Sequence, residues 1–356
     1  MLGNGHSDNG TPPSPGGMGG TAPRDDARDA GGGIVPVGPD MSSGNDVAAW
    51  KGYLSCALGG VAAGLLPIVA CAAVSYGTFL AVRGRGAKEL VLSAVFSIVP
   101  ALAVSFVFGY TTPLEALVAC IASVAVARLV TKQSMSTGVG IITVAVLSLA
   151  LIGCDAVVAW MSNTTIPEIA EAIVASYQAS LADLPVDTMA QVNTVLSAFK
   201  NLWPISYVVM GLGEFCVAWI GVQTAARGLR LPQDLLPHLA GFDAPLWTVV
   251  LLVASLLGLS LGSVISSTTG LVSQVSLNAV MVSRLIFAAQ GLAVLSWLFR
   301  QKRMGPFAVA FLTLLAIFLE LQFYIMTIVG LVDVWRNFRH LPRGKKVTVQ
   351  DASNQK

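Results

Sequence analysis

Charge is what this sequence has least of. Asp, Glu, Lys and Arg supply 11% of its 356 residues, less than half of the roughly 25% usual in a soluble domain, while 54% of residues are hydrophobic. A surface so poor in charge cannot be kept wetted. This excludes a soluble enzyme and points to a polytopic membrane protein whose solvent is the lipid bilayer. Histidine is nearly missing too: His6, His238 and His340 all lie outside the apolar runs. No HExxH, phosphate-binding loop, intramembrane aspartate pair or Cys/His spacing occurs, so catalysis, a metal, a cofactor or a self-contained ATP-driven pump has no motif to rest on. The expectation is a protein that is not an enzyme. A net charge of +2, scattered in short clusters, carries no nucleic-acid footprint. Cys56, Cys71, Cys120, Cys154 and Cys216 sit inside apolar runs and read as buried, inert thiols.

The first fifty residues lack apolar bulk instead. They hold twelve of the 35 glycines and six of the 17 prolines, with six Asp and two Arg. Such a stretch cannot bury enough surface to offset its ordering entropy, so 1–50 is expected to be a disordered tail. It has neither the apolar core of a signal peptide nor the charge of a polybasic lipid anchor.

From Gly52 onward long apolar runs alternate with short polar links. A crossing helix needs about 20 apolar residues, and the candidates are 54–82, 90–109, 113–130, 138–161, 203–226, 245–265, 271–299 and 306–332. These predict an all-α transmembrane bundle of about eight crossings, or nine if the first run divides at Pro67. Residues 51–340 form the membrane domain and 341–356 a basic polar tail. Positive charge orients the bundle: Arg83, Arg85 and Lys88, then Arg128 and Lys132, Arg227 and Arg230, and Arg300, Lys302 and Arg303 fill alternate links and belong to the cytoplasm. The acidic link 162–200 falls on the other side. The basic residues after the last run, Arg336, Arg339, Arg343, Lys345 and Lys346, break the pattern. Either a segment in the last third is not a full crossing or the rule fails there.

Within 162–200, Thr165 and Glu168 have capping-box spacing with Pro167 in the first turn. Ile169, Ile173, Tyr177 and Leu181 then make an apolar stripe, and Val192, Leu196 and Phe199 suggest a second one running into the next crossing. Two short amphipathic helices are expected, lying on the outer surface or capping the bundle as a lid; a plain connector fits equally. The string Gly258-Leu259-Ser260-Leu261-Gly262 resembles a nucleophile elbow, but in a helical crossing without a nearby histidine it reads as helix packing.

Three charges fall near mid-crossing: Glu214, Arg284 and Glu320. A charge there costs about 2.5–3.5 kcal/mol even on the lenient insertion scale, so each should face the interior and find a partner. One ion pair leaves one carboxylate over, free for a proton, a cation or a ligand amine; a structural lock between helices is an equal alternative. Asn278 and Gln290 gather polar groups near Arg284, though Asn and Gln also join helices. Asp155 and Glu115 are weaker candidates, the first facing water near a run's outer end, the second a first-turn acid. Ser55, Gly59 and Ala63 place small residues four apart in the first run, suited to docking a partner membrane protein or to packing within the chain.

Gln290-Gly291-Leu292-Ala293-Val294, a basic link, a long apolar run and then Gly330 to Arg339 (GLVDVWRNFR), with Asn278 ahead, resemble the end of the YybS-like family of bacterial multi-pass membrane proteins, which carry the domain of unknown function 2232. The resemblance implies residence in the bacterial cytoplasmic membrane and no settled activity. The front half is distantly similar to the substrate-binding subunits of energy-coupling-factor transporters, which implies six helices with both ends cytoplasmic. Two functions fit. One is a transport component that binds a small solute and takes its energy from partners. The other is a non-transporting scaffold that organises an envelope or signalling complex.

Overall fold

The computed structural model describes residues 49–109, 112–181, 185–231, 238–262 and 269–341. Nearly all of the Gly/Pro-rich tail, and Arg343, Lys345 and Lys346, lie outside them. Among the described residues there are eleven α-helices, one 3-10 turn at Leu239–Gly241 and no strand. The helices are α1 (Ala49–Ala63), α2 (Pro67–Val82), α3 (Ala87–Ser105), α4 (Thr112–Thr131), α5 (Thr137–Met161), α6 (Ile166–Ser180), α7 (Val186–Gly228), α8 (Trp247–Gly262), α9 (Thr269–Gln301), α10 (Pro306–Phe323) and α11 (Ile325–Arg336). Six of them, α3, α4, α5, α7, α9 and α10, are long and apolar enough to cross a membrane. The protein is an all-α, multi-pass membrane protein.

The first apolar run divides where a proline forces it. Leu66 is held extended, φ −141° and ψ 81°, and Pro67 opens α2, since the residue before a proline avoids the helical region while a proline at the first helical position loses no hydrogen bond. Small residues let the resulting helices close up. Gly59 of α1 lies against Val74 of α2, Gly60 against the Ser97 carbonyl of α3, and Gly64 against Val104. The Ser55 hydroxyl donates to the Ala73 carbonyl at 2.9 Å, and Ala63 is packed with Ala70, Val74 and Ala101. The small-residue stripe of the first run is thus covered by this chain's own α2 and α3.

The last run also divides, at Tyr324, and here the single crossing expected over 306–332 needs correction. Tyr324 adopts the left-handed conformation, φ 58° and ψ 26°, as the last cap of α10 and the first of α11. Nothing in the local sequence demands this, and a non-glycine residue there costs about 1–2 kcal/mol. Long-range polar contacts hold the turn. Arg284 of α9 donates through Nη2 to the Glu320 carbonyl, satisfying one of the open carbonyls that end α10. The Glu320 carboxylate accepts the backbone N–H and hydroxyl of Thr327 in the first turn of α11. Beyond the turn α11 runs in the direction of α9: Thr327 meets Arg284, Gly330 meets Phe287, and Asp333 meets Gln290. A helix of 12 residues, about 18 Å at 1.5 Å per residue, does not span a core of about 30 Å.

The second helix of the 162–200 link is longer than expected. It is the leading part of α7, one helix of 43 residues with Pro204 inside it. A proline there removes a bond and disturbs the i→i−4 ladder, and Asn278 of α9 mends it. Its Oδ1 accepts the Ile205 N–H at 3.1 Å and its Nδ2 donates to the Asn201 carbonyl at 2.8 Å. Those two backbone groups would otherwise bond each other, so the amide is spliced into the helix. Asn278→Ala is expected to cost about 1–3 kcal/mol, the price of orphaned backbone groups. The loss should shrink on a Pro204→Ala background, where the ladder can re-form. Reversible unfolding of the four variants in mixed micelles measures that coupling; equal losses on both backgrounds would refute the splice.

Candidate functional site

A cleft lies away from Arg284, beneath α6. Its volume is about 280 Å³. The capping box expected at Thr165 is formed in both directions, which fixes the start of α6, but the face it buries is Ala170 and Val174, while Ile173 and Tyr177 of the expected stripe are exposed. Ile166, Ile169 and Ile173 then roof the cleft. Helix α7 supplies Phe199, Trp203, Tyr207 and Met210 as one wall, and Leu151 of α5 also lines the cleft. The Trp203 and Tyr207 rings meet edge to face, with centroids 6.1 Å apart.

Two carboxylates enter this apolar chamber, Glu115 from the first turn of α4 and Asp155 from α5. Tyr207 donates its hydroxyl to Asp155 Oδ2 at 2.5 Å, which aims that carboxylate and leaves its other oxygen without a bond from the tyrosine. Glu115 and Asp155 line the same cleft, and among the described residues lining it there is no base. Two acids in low dielectric without a base make a potential that draws in a cation, and aromatic faces beside them add cation–π attraction.

Glu214 sits deeper on the same face of α7, two turns below Tyr207. It is 1% exposed, and its Oε2 has no hydrogen-bond partner. Glu214 therefore does not pair with Arg284. The ion pair forms with Glu320, Nε to Oε1 at 3.1 Å, and the Tyr324 ring lies 3.9 Å from the guanidinium carbon. Arg284 and Glu320 thus serve the α10–α11 turn, and Glu214 is the carboxylate left over. Asn278 and Gln290 do not join Arg284 either. Asn278 is occupied by the α7 splice, while Gln290 accepts from Ala244 N–H and donates to Asp333 and Asp243.

Gln290 belongs to a second polar cluster that the sequence did not disclose. Asp333 and Arg339 form an ion pair at 2.9 Å with both side chains fully buried. Arg339 also donates to the Ala240 and Phe242 carbonyls, and Asp333 accepts the Phe338 N–H. The cysteines need a smaller correction. Cys56, Cys71 and Cys120 are buried, but Cys154 is only half-buried and Cys216 is exposed, because Cys216 falls on the outward side of α7. The Gly258–Gly262 string is packing: Gly258 lies against Ser276 and Gly262 against Ser273 of α9, with Ser260 exposed on the opposite side.

Glu115 and Asp155 were legible only as weaker candidates, a first-turn acid and an acid near the end of a run, and nothing local joined them. Asp333 lay inside the GLVDVWRNFR stretch, where one acid in an otherwise apolar helix was the available cue. A family model described as a predicted membrane protein (DUF2232) matches residues 90–334, from inside α3 to the last turns of α11. No curated protein and no solved structure matches the chain.

Proposed function

The chain belongs to this DUF2232 family of predicted membrane proteins, and we propose that it binds a small organic cation in the cleft under α6. It would do so as the solute-binding membrane component of a transport system that draws its energy from partners. One observation carries the reading: a chamber of about 280 Å³ with two carboxylates, an aromatic wall, no base among its described lining, and a helical roof. The division at Pro67 supports it by giving six helices besides α6 before Arg227, the number implied by the likeness to energy-coupling-factor substrate-binding subunits. In this reading the basic links face the cytoplasm of a bacterial plasma membrane and α6 faces outward. The chain after α11 is then cytoplasmic as well, because α11 turns back toward the end of α9 that carries Arg300. The excess of basic residues there obeys the charge rule.

The test is thermal stability of the purified protein in detergent with phenethylammonium, against phenethyl alcohol as its uncharged counterpart. A ligand at a hundredfold excess over Kd stabilises by about 2.7 kcal/mol. The amine is expected to raise Tm and the alcohol not. The response should fall in Asp155→Asn and Glu115→Gln. Equal shifts with both compounds, or none with either, would favour the scaffold.

A further inference from the structure

Glu214 has no place in the ion pair, the splice or the cleft wall. It is 1% exposed on a helix against which α2, α4, α5, α6 and α9 pack. The titratable groups that interact with it are Cys71 from α2, Cys120 and Glu115 from α4, and Cys154 from α5. Among the described residues α6 and α9 bring no charge to it; the arginine of α9, Arg284, is held by Glu320 and Tyr324. An ionised carboxylate with one oxygen unpartnered, no base nearby and a second acid above it has no source of compensation. In such surroundings a carboxyl group takes up a proton rather than stay charged.

We propose that Glu214 is a proton site coupled to the cleft: it carries a proton while the cleft is empty and releases it when a cation enters. The coupling follows from stacking along α7. Tyr207 and Met210 line the cleft together with Glu115 and Asp155, and Glu214 lies one turn below Met210 on the same face of α7. A cation between Glu115 and Asp155 cancels the repulsion that opposes ionisation of Glu214 and adds attraction of its own. The O–H bond of the acid breaks, its electron pair stays on the carboxylate, and the proton passes to water. One cation enters and one proton leaves, so the net charge of the buried site stays constant.

The inference rests on the cation-binding reading, and infrared difference spectroscopy of the whole protein separates the two. At neutral pH the empty wild type is expected to show a carboxylic-acid C=O band that is absent in Glu214→Gln, an uncharged near-isostere of the acid. In wild type alone the band should convert to the carboxylate stretch at high pH. Its absence at neutral pH overturns the proton site, whatever the amine does. With phenethylammonium present at a concentration that raises Tm, the band should fall and about one proton per bound amine should appear in weakly buffered solution. A raised Tm with an unchanged band overturns the coupling. An amine that never raises Tm overturns the cation-binding reading and the coupling with it, while the acid band still reports the proton site.

Discussion

Arg339→Ala is expected to cost about 3–5 kcal/mol, the range for removing one partner of a buried ion pair. The substitution strands Asp333, which is fully enclosed, and removes the donor to the carbonyls of Ala240 and Phe242. Asp333→Ala should cost less, because Asp243 Oδ1 still lies 3.9 Å from Arg339 Nη2 and the Ala240 and Phe242 carbonyls still accept from the guanidinium. The double variant Asp333→Leu with Arg339→Met is informative because apolar replacement of a whole buried pair is often neutral or stabilising. Here it should recover only part of the loss. The two loop carbonyls still lack their donor, at about 1–3 kcal/mol for each unsatisfied group. Unfolding of the single and double variants in mixed micelles gives the coupling. Additive losses would show that Asp333 and Arg339 stabilise the protein independently.

The second large effect is steric. A Cβ on Gly330 would overlap the Phe287 carbonyl oxygen and crowd the Gly291 nitrogen, and one on Gly291 would overlap the Met326 carbonyl. These neighbours are backbone and cannot swing aside. Gly330→Leu is therefore expected to push α11 off α9 and open the Asp333–Arg339–Gln290 cluster with it. The loss should exceed the 1–3 kcal/mol typical of overpacking. Gly153→Ala is the counterpart. No atom lies within 4 Å of its added Cβ, and removing a mid-helix glycine should stabilise by about 0.5–1 kcal/mol. A change at Gly330 as mild as the one at Gly153 would mean that the α9–α11 pair is loose.

What the sequence disclosed divides along a physical line. Features set by nearest neighbours were legible: the apolar lengths, the break before Pro67, the capping box at Thr165, and the need for Arg284 to find an acid. Features set by contacts between distant segments were not. Tyr324 is left-handed because Arg284, forty residues earlier, caps the helix before it, and no glycine or proline marks the place. The Asp333–Arg339 pair closes only because Asn337, also left-handed at φ 47°, folds the chain back past the end of α11. Asn278 looked like a ligand residue because a splice into another helix leaves no local trace. The conflict in basic charge after the last run was the one visible sign that α11 is short. The site followed the same division: that one carboxylate would be left over could be counted from the sequence, but not that it is Glu214, nor the convergence of Glu115 and Asp155 under α6.

The contacts of Arg339 also bear on how the protein is made. Its carbonyl partners, Ala240 and Phe242, precede it by 99 and 97 residues, with α8, α9, α10 and α11 synthesised in between. During that interval Gln290 and the loop carbonyls have no arginine or Asp333 to meet, so the membrane holds an unfinished polar seam. Lipid alone does not retain α11, which is too short to span; docking of side chains does. Completion is therefore a folding event that follows insertion, and it waits on a segment near the C-terminal end of the bundle. A chain that never seats α11 keeps its seam open and is marked as unfinished by the polar groups it displays.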